Sequence, residues 1–166
     1  MGSGKSHMAK KLAVIAHIEV MDLDQIIENE EGMSIREIFS QKGEEAFRQI
    51  ESNALRQLVN RLSSLADNRV YVISCGGGTP CFHGNMEWMN EHGVTAWLNP
   101  SNEILVERLQ KEKEHRPLIA ALDDKGLTKF IAEKLNEREP FYSKAKIVLQ
   151  ESDPSVESIL NLLQNA

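Results

Sequence analysis

The tightest constraint on this chain is its opening, Gly2-Ser-Gly-Lys-Ser6, which runs without a break into a helical pattern. From Lys5 onward Met8, Leu12 and Ile15 recur at helical spacing, with Ala9, Ala13 and Ala16 beside them and polar residues between. Gly2, Ser3, Gly4, Lys5 and Ser6 read as the second half of a Walker A loop. In such a loop glycines free backbone N–H groups to surround phosphates, the lysine reaches the β and γ phosphates, and the serine hydroxyl ligates magnesium. The glycine of the first half would lie ahead of Met1. Met1-Gly-Ser and Ser6-His-Met also read as scars of an expression tag.

Downstream, short apolar strands alternate with helical segments. Val20 to Asp24 reads as a strand ending in acids, and Gln25 to Glu31 as a helix. Ser34 with Glu37 three residues on is a capping box opening a helix that Gly43 closes. A longer helix then carries Phe47, Ile50, Leu55, Leu58, Leu62 and Leu65 on one face. Val70 to Ser74 is a strand breaking into Gly76-Gly-Gly78, the layout of a buried strand feeding a loop that must approach something closely. Met86 and Met89 mark a short helix, Val94 to Leu98 a strand, and Ser101 the cap of a helix through Leu109. The charged stretch Gln110 to Asp124 reads as a mobile loop. Leu127, Phe130, Ile131 and Leu135 mark a further helix, Ile147 to Leu149 a last strand, and Asp153-Pro154 the cap and first turn of a terminal helix. This alternation predicts an α/β fold, a parallel sheet with helices on both faces, whose ligands sit at the carboxyl ends of the strands.

The 166 residues suit a single domain with a core of its own. A net charge of -6 argues against general nucleic-acid binding, which needs a basic surface. Cys75 and Cys81 lack the spacing of a zinc or redox motif, and no signal peptide or long apolar run is present, so a reduced, cytoplasmic protein without membrane association is expected. The five histidines show no ligand spacing.

Asp22 and Asp24, two apart on a strand end, would point their carboxylates the same way. Phosphoryl transfer needs one acid to hold a magnesium-bound water and one to orient or deprotonate the attacking hydroxyl; a solvated acidic turn would show the same residues. Gly76, Gly77 and Gly78 offer backbone donors or merely a tight turn. Arg48, Arg116 and Arg138 are surface residues by default, yet two such forks can hold a carboxylate in bidentate geometry that lysine cannot supply.

The serial order of these motifs resembles the shikimate kinase family. It comprises Gly2-Ser-Gly-Lys-Ser6, Met21-Asp-Leu-Asp-Gln-Ile-Ile-Glu28, Ser34-Ile-Arg-Glu-Ile-Phe39, Gly43-Glu-Glu-Ala-Phe-Arg-Gln-Ile-Glu51, Gly76-Gly-Gly-Thr-Pro80, Arg116-Pro-Leu-Ile119 and Glu137-Arg-Glu-Pro-Phe-Tyr142, and runs from Met1 to about Leu149. The spacing from Lys5 to Asp22 fits the family's loop, helix and strand, which removes the tag reading. The resemblance implies a P-loop three-layer sandwich with a five-stranded parallel sheet in the order 2-3-1-4-5. It covers one domain over 1–166, with a substrate-binding region at 25–66 and a lid at 110–125.

The same resemblance implies transfer of the γ-phosphoryl group of ATP to the 3-hydroxyl of shikimate, with Mg2+, by a monomer. Gly2, Ser3, Gly4, Lys5 and Ser6 would hold the ATP phosphates, with Lys5 catalytic, while Ser6 and Asp22 would meet the metal. Asp24 would bind and activate the hydroxyl. Arg48 and Arg138 would clamp the carboxylate, Glu51 would hold Arg48, and Gly76, Gly77 and Gly78 would line the substrate. Arg116 would close over the transferring phosphate, and Arg108 would stack on adenine. His7 stands where the family usually has a small hydroxyl residue. The family's first strand would lie upstream of Met1, so the sequence is expected to continue about ten residues earlier, the length of a strand and half a loop, and the chain as written to fold poorly. A gluconate kinase would share the loop but not both arginine forks with Asp-Leu-Asp. A nucleotide-binding remnant without catalysis is the reading from another class.

Overall fold

The structure is a computed structural model that describes residues 2–65, 69–111, 117–151 and 153–164. It divides into two compact units, Ser6–Gly93 and Met1–Lys5 with Val94–Ala166.

The Ser6–Gly93 unit takes up helix α1 (Lys5–Ile15), whose first residue belongs to the other unit, then strand β1 (Glu19–Asp22) and helix α2 (Leu23–Glu31). Helix α3 (Ile35–Ser63), strand β2 (Tyr71–Ser74), a 3-10 turn at Thr79–Cys81 and helix α4 (Asn85–His92) complete it. Strands β1 and β2 are parallel, with Glu19 opposite Tyr71 and Asp22 opposite Ser74. In the other unit, strand β3 (Ala96–Leu98) pairs in parallel with β4 (Ile147–Leu149), and around them come helices α5 (Asn102–Lys111), α6 (Pro117–Ala120), α7 (Asp124–Tyr142) and α8 (Val156–Gln164). Among the described residues, therefore, the parallel strands form two separate pairs, in place of one continuous sheet. The pairs are those that the order 2-3-1-4-5 makes neighbours, its second with its third strand and its fourth with its fifth.

Local chemistry explains most boundaries. Ser34 Oγ accepts from the Glu37 N–H at 3.3 Å while Glu37 Oε2 accepts from the Ser34 N–H at 2.8 Å, the reciprocal cap expected there. Gly43, at φ 82° and ψ 171°, interrupts α3 as expected, so the helix is two segments meeting at a residue only glycine occupies without strain. The second segment buries Phe47, Ala54, Leu55 and Leu58 against Leu23 and Ile27 of α2 and Ile38 of the first segment. Truncating one of these leucine, isoleucine or phenylalanine side chains to alanine costs about 2 to 5 kcal/mol. The other unit has its own core of Leu105, Leu109, Ile119, Leu127 and Ile131, from α5, α6 and α7.

Four expectations are corrected. Val20 to Asp24 is not strand throughout: β1 stops at Asp22, and Asp24 stands in the first turn of α2. Leu65, read onto the apolar face of the long helix, is exposed beyond the end of α3. The stretch 110–124 is partly helical, since α5 extends to Lys111 and α6 occupies Pro117–Ala120; residues 112–116 lie outside the described residues. The cap of α8 is Ser155, whose Oγ accepts from the Ser158 N–H at 3.0 Å, and not Asp153-Pro154.

Hydrogen bonds from the Ser34 side chain and backbone N–H hold the Glu37 carboxyl below the usual range. A depressed carboxyl stabilises the fold above its unfolded value and loses that contribution as pH falls through its folded value. Replacing Ser34 by alanine is expected to cost about 1 kcal/mol near neutral pH, and the gap to the parent protein should narrow on acidification. Denaturant melts at pH 7 and pH 4 check this; a gap that does not depend on pH would remove Glu37 from the cap.

Candidate active site

Because Asp22 lies opposite Ser74, the chain leaves β1 and β2 at the same level, and α2 and the triple glycine start side by side. Asp22 Oδ1 accepts from the backbone N–H groups of Asp24 at 3.0 Å and Gln25 at 3.3 Å. That cap ends the strand and turns the chain into helix, so the two aspartates are not on one strand face with parallel carboxylates. Asp22 spends one oxygen on the helix start. Asp24, one turn-position on, aims its carboxylate at the glycine loop.

At Gly76 three oxygens converge. A methyl carbon placed there would lie 3.1 Å from Glu51 Oε1, 3.3 Å from Asp24 Oδ1 and 3.3 Å from Thr79 Oγ1. The loop itself is tied by the Thr79 N–H to Gly76 O at 3.2 Å and by the Cys81 N–H to Gly78 O at 2.9 Å. Gly78 has an ordinary backbone, φ −92°, and its requirement is space: a methyl carbon would sit 2.6 Å from both Nη1 and Nη2 of Arg48.

Arg48 is held from several sides. Its Nη1 donates to Glu51 Oε2 at 2.9 Å, one turn along α3, and its guanidinium lies 4.5 Å from the ring centre of Phe82, 5.0 Å from Phe47 and 5.6 Å from Phe39. Glu51 is 1% exposed, and its second oxygen, Oε1, accepts from Thr79 Oγ1 at 2.6 Å. Both carboxylate oxygens are therefore satisfied, which is what a buried charge requires. The network continues: Asn85 Nδ2 donates to Thr79 O at 2.9 Å, while Asn85 Oδ1 accepts from Ser52 Oγ at 2.9 Å and Arg56 Nη1 at 2.8 Å. Arg56 also donates to the Ser52 hydroxyl and to His83 O.

Asp24, Arg48, Glu51, Gly76 and Gly78 are thus brought together as the sequence implied, and Gly77 lies in the same loop. Thr79, Asn85, Ser52, Arg56 and Phe82 were missed. Ser52 and Arg56 follow Arg48 at steps of four on one helix face, a signal that was available; Thr79 and Asn85 are 28 and 33 residues from their α3 partners, Glu51 and Ser52.

In the other unit Gly2 and Gly4 take positive φ, 69° and 93°, the conformation that frees successive N–H groups. Arg108 Nη1 lies 3.4 Å from Gly2 O and 3.3 Å from Ser3 O, and a methyl at Gly2 would meet the buried Leu109 at 3.0 Å. Arg108, read as an adenine platform, here holds the carbonyls of the loop. Lys5 is half-buried and opens α1, followed by an exposed Ser6. Arg138 is half-buried near the end of α7, and Arg116 lies outside the described residues.

Parallel strands delivering acids and glycines at one end, in a chain that opens a helix with Gly-Lys-Ser, place the protein among the α/β P-loop kinases. The comparisons are more specific. The family profile "Shikimate kinase" matches residues 1–166. A shikimate kinase of Parabacteroides distasonis is 40% identical over 166 residues, covering 100% of this chain and 92% of that protein. A crystal structure of shikimate kinase from Bacteroides thetaiotaomicron superposes with a TM-score of 0.81 at 32% identity, covering 99% of this chain and 90% of that one. Shikimate kinase from Acinetobacter baumannii, solved in complex with shikimate, gives 0.79 at 26% identity, covering 99% and 89%. The chain belongs to the shikimate kinase family.

The hydroxyl of Thr79 is the polar link between the glycine turn and Glu51. Replacing Thr79 by valine, which keeps the shape, should cost about 1 to 3 kcal/mol by leaving a buried carboxylate oxygen without its donor, and serine should recover most of it. Urea unfolding of the three proteins decides; equal stability of the valine form would show that Glu51 does not depend on this hydroxyl.

Proposed function

We propose that this protein transfers the γ-phosphoryl group of ATP to the 3-hydroxyl of shikimate, giving shikimate 3-phosphate and ADP, as one domain spanning residues 1–166. The observation that carries the reading is the buried, charge-satisfied Arg48 beside an acid aimed at a glycine turn: a cation for a carboxylate and an acceptor for a hydroxyl within one unit. The family membership and the shikimate complex of the Acinetobacter relative support the same substrate.

In this reading the Asp24 carboxylate accepts the hydrogen bond of the attacking hydroxyl and takes its proton as the bond to phosphorus forms. Arg48 and Arg138 hold the substrate carboxylate, and the backbone of Gly76, Gly77 and Gly78 lines its ring. Gly2, Ser3, Gly4 and Lys5 surround the phosphates, Lys5 stabilising charge on the γ-phosphoryl oxygens. Arg108 braces that loop and stacks on the adenine, and Arg116 closes over the transferring group.

Mg2+ fits the donor set. Among the described residues no three acidic, histidine or cysteine side chains gather into a cage. Magnesium commonly takes one or two protein oxygens and completes its shell with phosphate and water, and here the Ser6 hydroxyl and the remaining oxygen of Asp22 are hard ligands of that kind. When bound, the ion neutralises phosphate charge. Among the described residues no helix is long and apolar enough to cross a membrane, and Cys75 and Cys81 form no disulfide; the place of action in this reading is the cytoplasm.

Coupled ADP release with shikimate against gluconate tests the substrate. Asp24→Asn is expected to lose roughly a hundredfold or more in kcat with little change in melting temperature; retained turnover would remove Asp24 from the mechanism. Arg48→Lys and Arg138→Lys should raise the KM for shikimate while sparing ATP, and Arg116→Ala should lower kcat. Weakened ATP binding alone in all three would refute the carboxylate assignment.

A further inference from the structure

A guanidinium is a planar fork with three hydrogen-bonding edges and two faces. For Arg48 nearly all of that surface is spoken for. One edge, at Nη1, is committed to the buried Glu51 at 2.9 Å. Gly78 lies over one face of the guanidinium, where a methyl carbon would be 2.6 Å from Nη1 and Nη2 and 2.7 Å from Cζ. The rings of Phe39, Phe47 and Phe82 surround the guanidinium carbon at 4.5 to 5.6 Å. The edge formed by Nε and Nη2 is suited to two parallel bonds with a carboxylate. It is occupied. Glu44 Oε1 lies 3.3 Å from Nε and 3.1 Å from Nη2.

We infer that Glu44 is an internal occupant of the substrate-carboxylate site, a side chain of the protein that the carboxylate of shikimate must displace from Arg48 before it can bind there. The inference rests on the assignment of Arg48 to that carboxylate in the proposed function. Glu44 is suited to leaving. Its side chain is 60% exposed, against 1% for Glu51, so it returns to water with its charge solvated while Glu51 stays. It also stands immediately after the interruption of α3 at Gly43, at the start of the segment that carries Arg48.

A carboxylate beside an arginine could act in two opposite ways: it could hold the fork ready for a ligand, or compete with the ligand for it. The surroundings decide between them. Arg48 is already positioned by the buried Glu51, the three rings and the Gly78 backbone, so Glu44 adds little orientation. Its negative charge, in contrast, sits on the atoms the substrate needs. Competition is the larger effect, and Glu44 sets substrate affinity below what Arg48 alone would give.

The test is equilibrium binding of shikimate to the parent protein and to Glu44→Gln and Glu44→Ala, beside its uncharged methyl ester. Arg48→Lys serves as the control, and melting curves establish that each variant is folded. Both Glu44 variants are expected to lower the Kd for shikimate about two- to fivefold, the scale of one exposed ion pair, with no such gain for the ester. A Kd that rises or stays level in the folded variants overturns the inference, as does an equal gain for acid and ester, which would reflect general loosening. If Arg48→Lys leaves the Kd for shikimate unchanged, the assignment of Arg48 fails and takes the inference with it. A weakened Arg48→Lys with unimproved Glu44 variants defeats the inference alone.

Discussion

The buried ion pair between Arg48 and Glu51 sets the terms for the unit around it. Taking a guanidinium and a carboxylate out of water costs several kcal/mol per ion, which is offset only where geometry is good and every remaining polar atom finds a partner. The neighbouring residues meet that condition one by one. Thr79 satisfies the second oxygen of Glu51, aromatic rings cover the guanidinium, and a glycine stands at position 78 because Arg48 leaves no room for a methyl. Among the described residues no buried side-chain nitrogen or oxygen lacks a partner. A site of this kind is rigid before any ligand arrives, which preorganised charge recognition requires.

Asp24 reaches the same place by backbone chemistry. The side chain of Asp22 competes successfully with strand continuation by bonding the N–H groups ahead of it, a habit of aspartate at helix starts. One residue thus ends β1, opens α2 and sets the direction of the next acid. The parallel register does the rest, since it brings the end of β2 and its glycine turn level with that point.

Much of this was legible from residue order. The capping box at Ser34, the break at Gly43, the β-branched run before Gly76 and the apolar face of α3 are local patterns with local causes, and they appear where they were read. Asp24 was placed on a strand because alternation counts residues and does not register an N-cap. Leu65 was read onto the apolar face because periodicity continues past the point where the helix stops. The link from Asn85 to Thr79 to Glu51 spans three elements, and nothing in the spacing of these residues announces that they meet. The Arg108 guanidinium meets backbone carbonyls of the loop, a contact between positions far apart in the chain that residue order does not announce.

Helix α3 acts as a ruler. Glu44, Arg48, Glu51, Ser52 and Arg56 follow at helical steps along one side of a single segment, so competitor, cation, counter-ion and supporting network share one rigid frame. The apolar residues that hold this helix in place, Phe47, Ala54, Leu55 and Leu58, are interleaved with them, and Leu55 and Leu58 follow the buried Glu51 at steps of four and seven on the same side. The buried recognition residues Arg48 and Glu51 therefore share their side of the helix with the core, while Glu44 stands exposed at its start. A designer can therefore vary selectivity at the exposed Glu44 without redesigning the core, whereas any exchange at Arg48 or Glu51 is also an exchange in the fold.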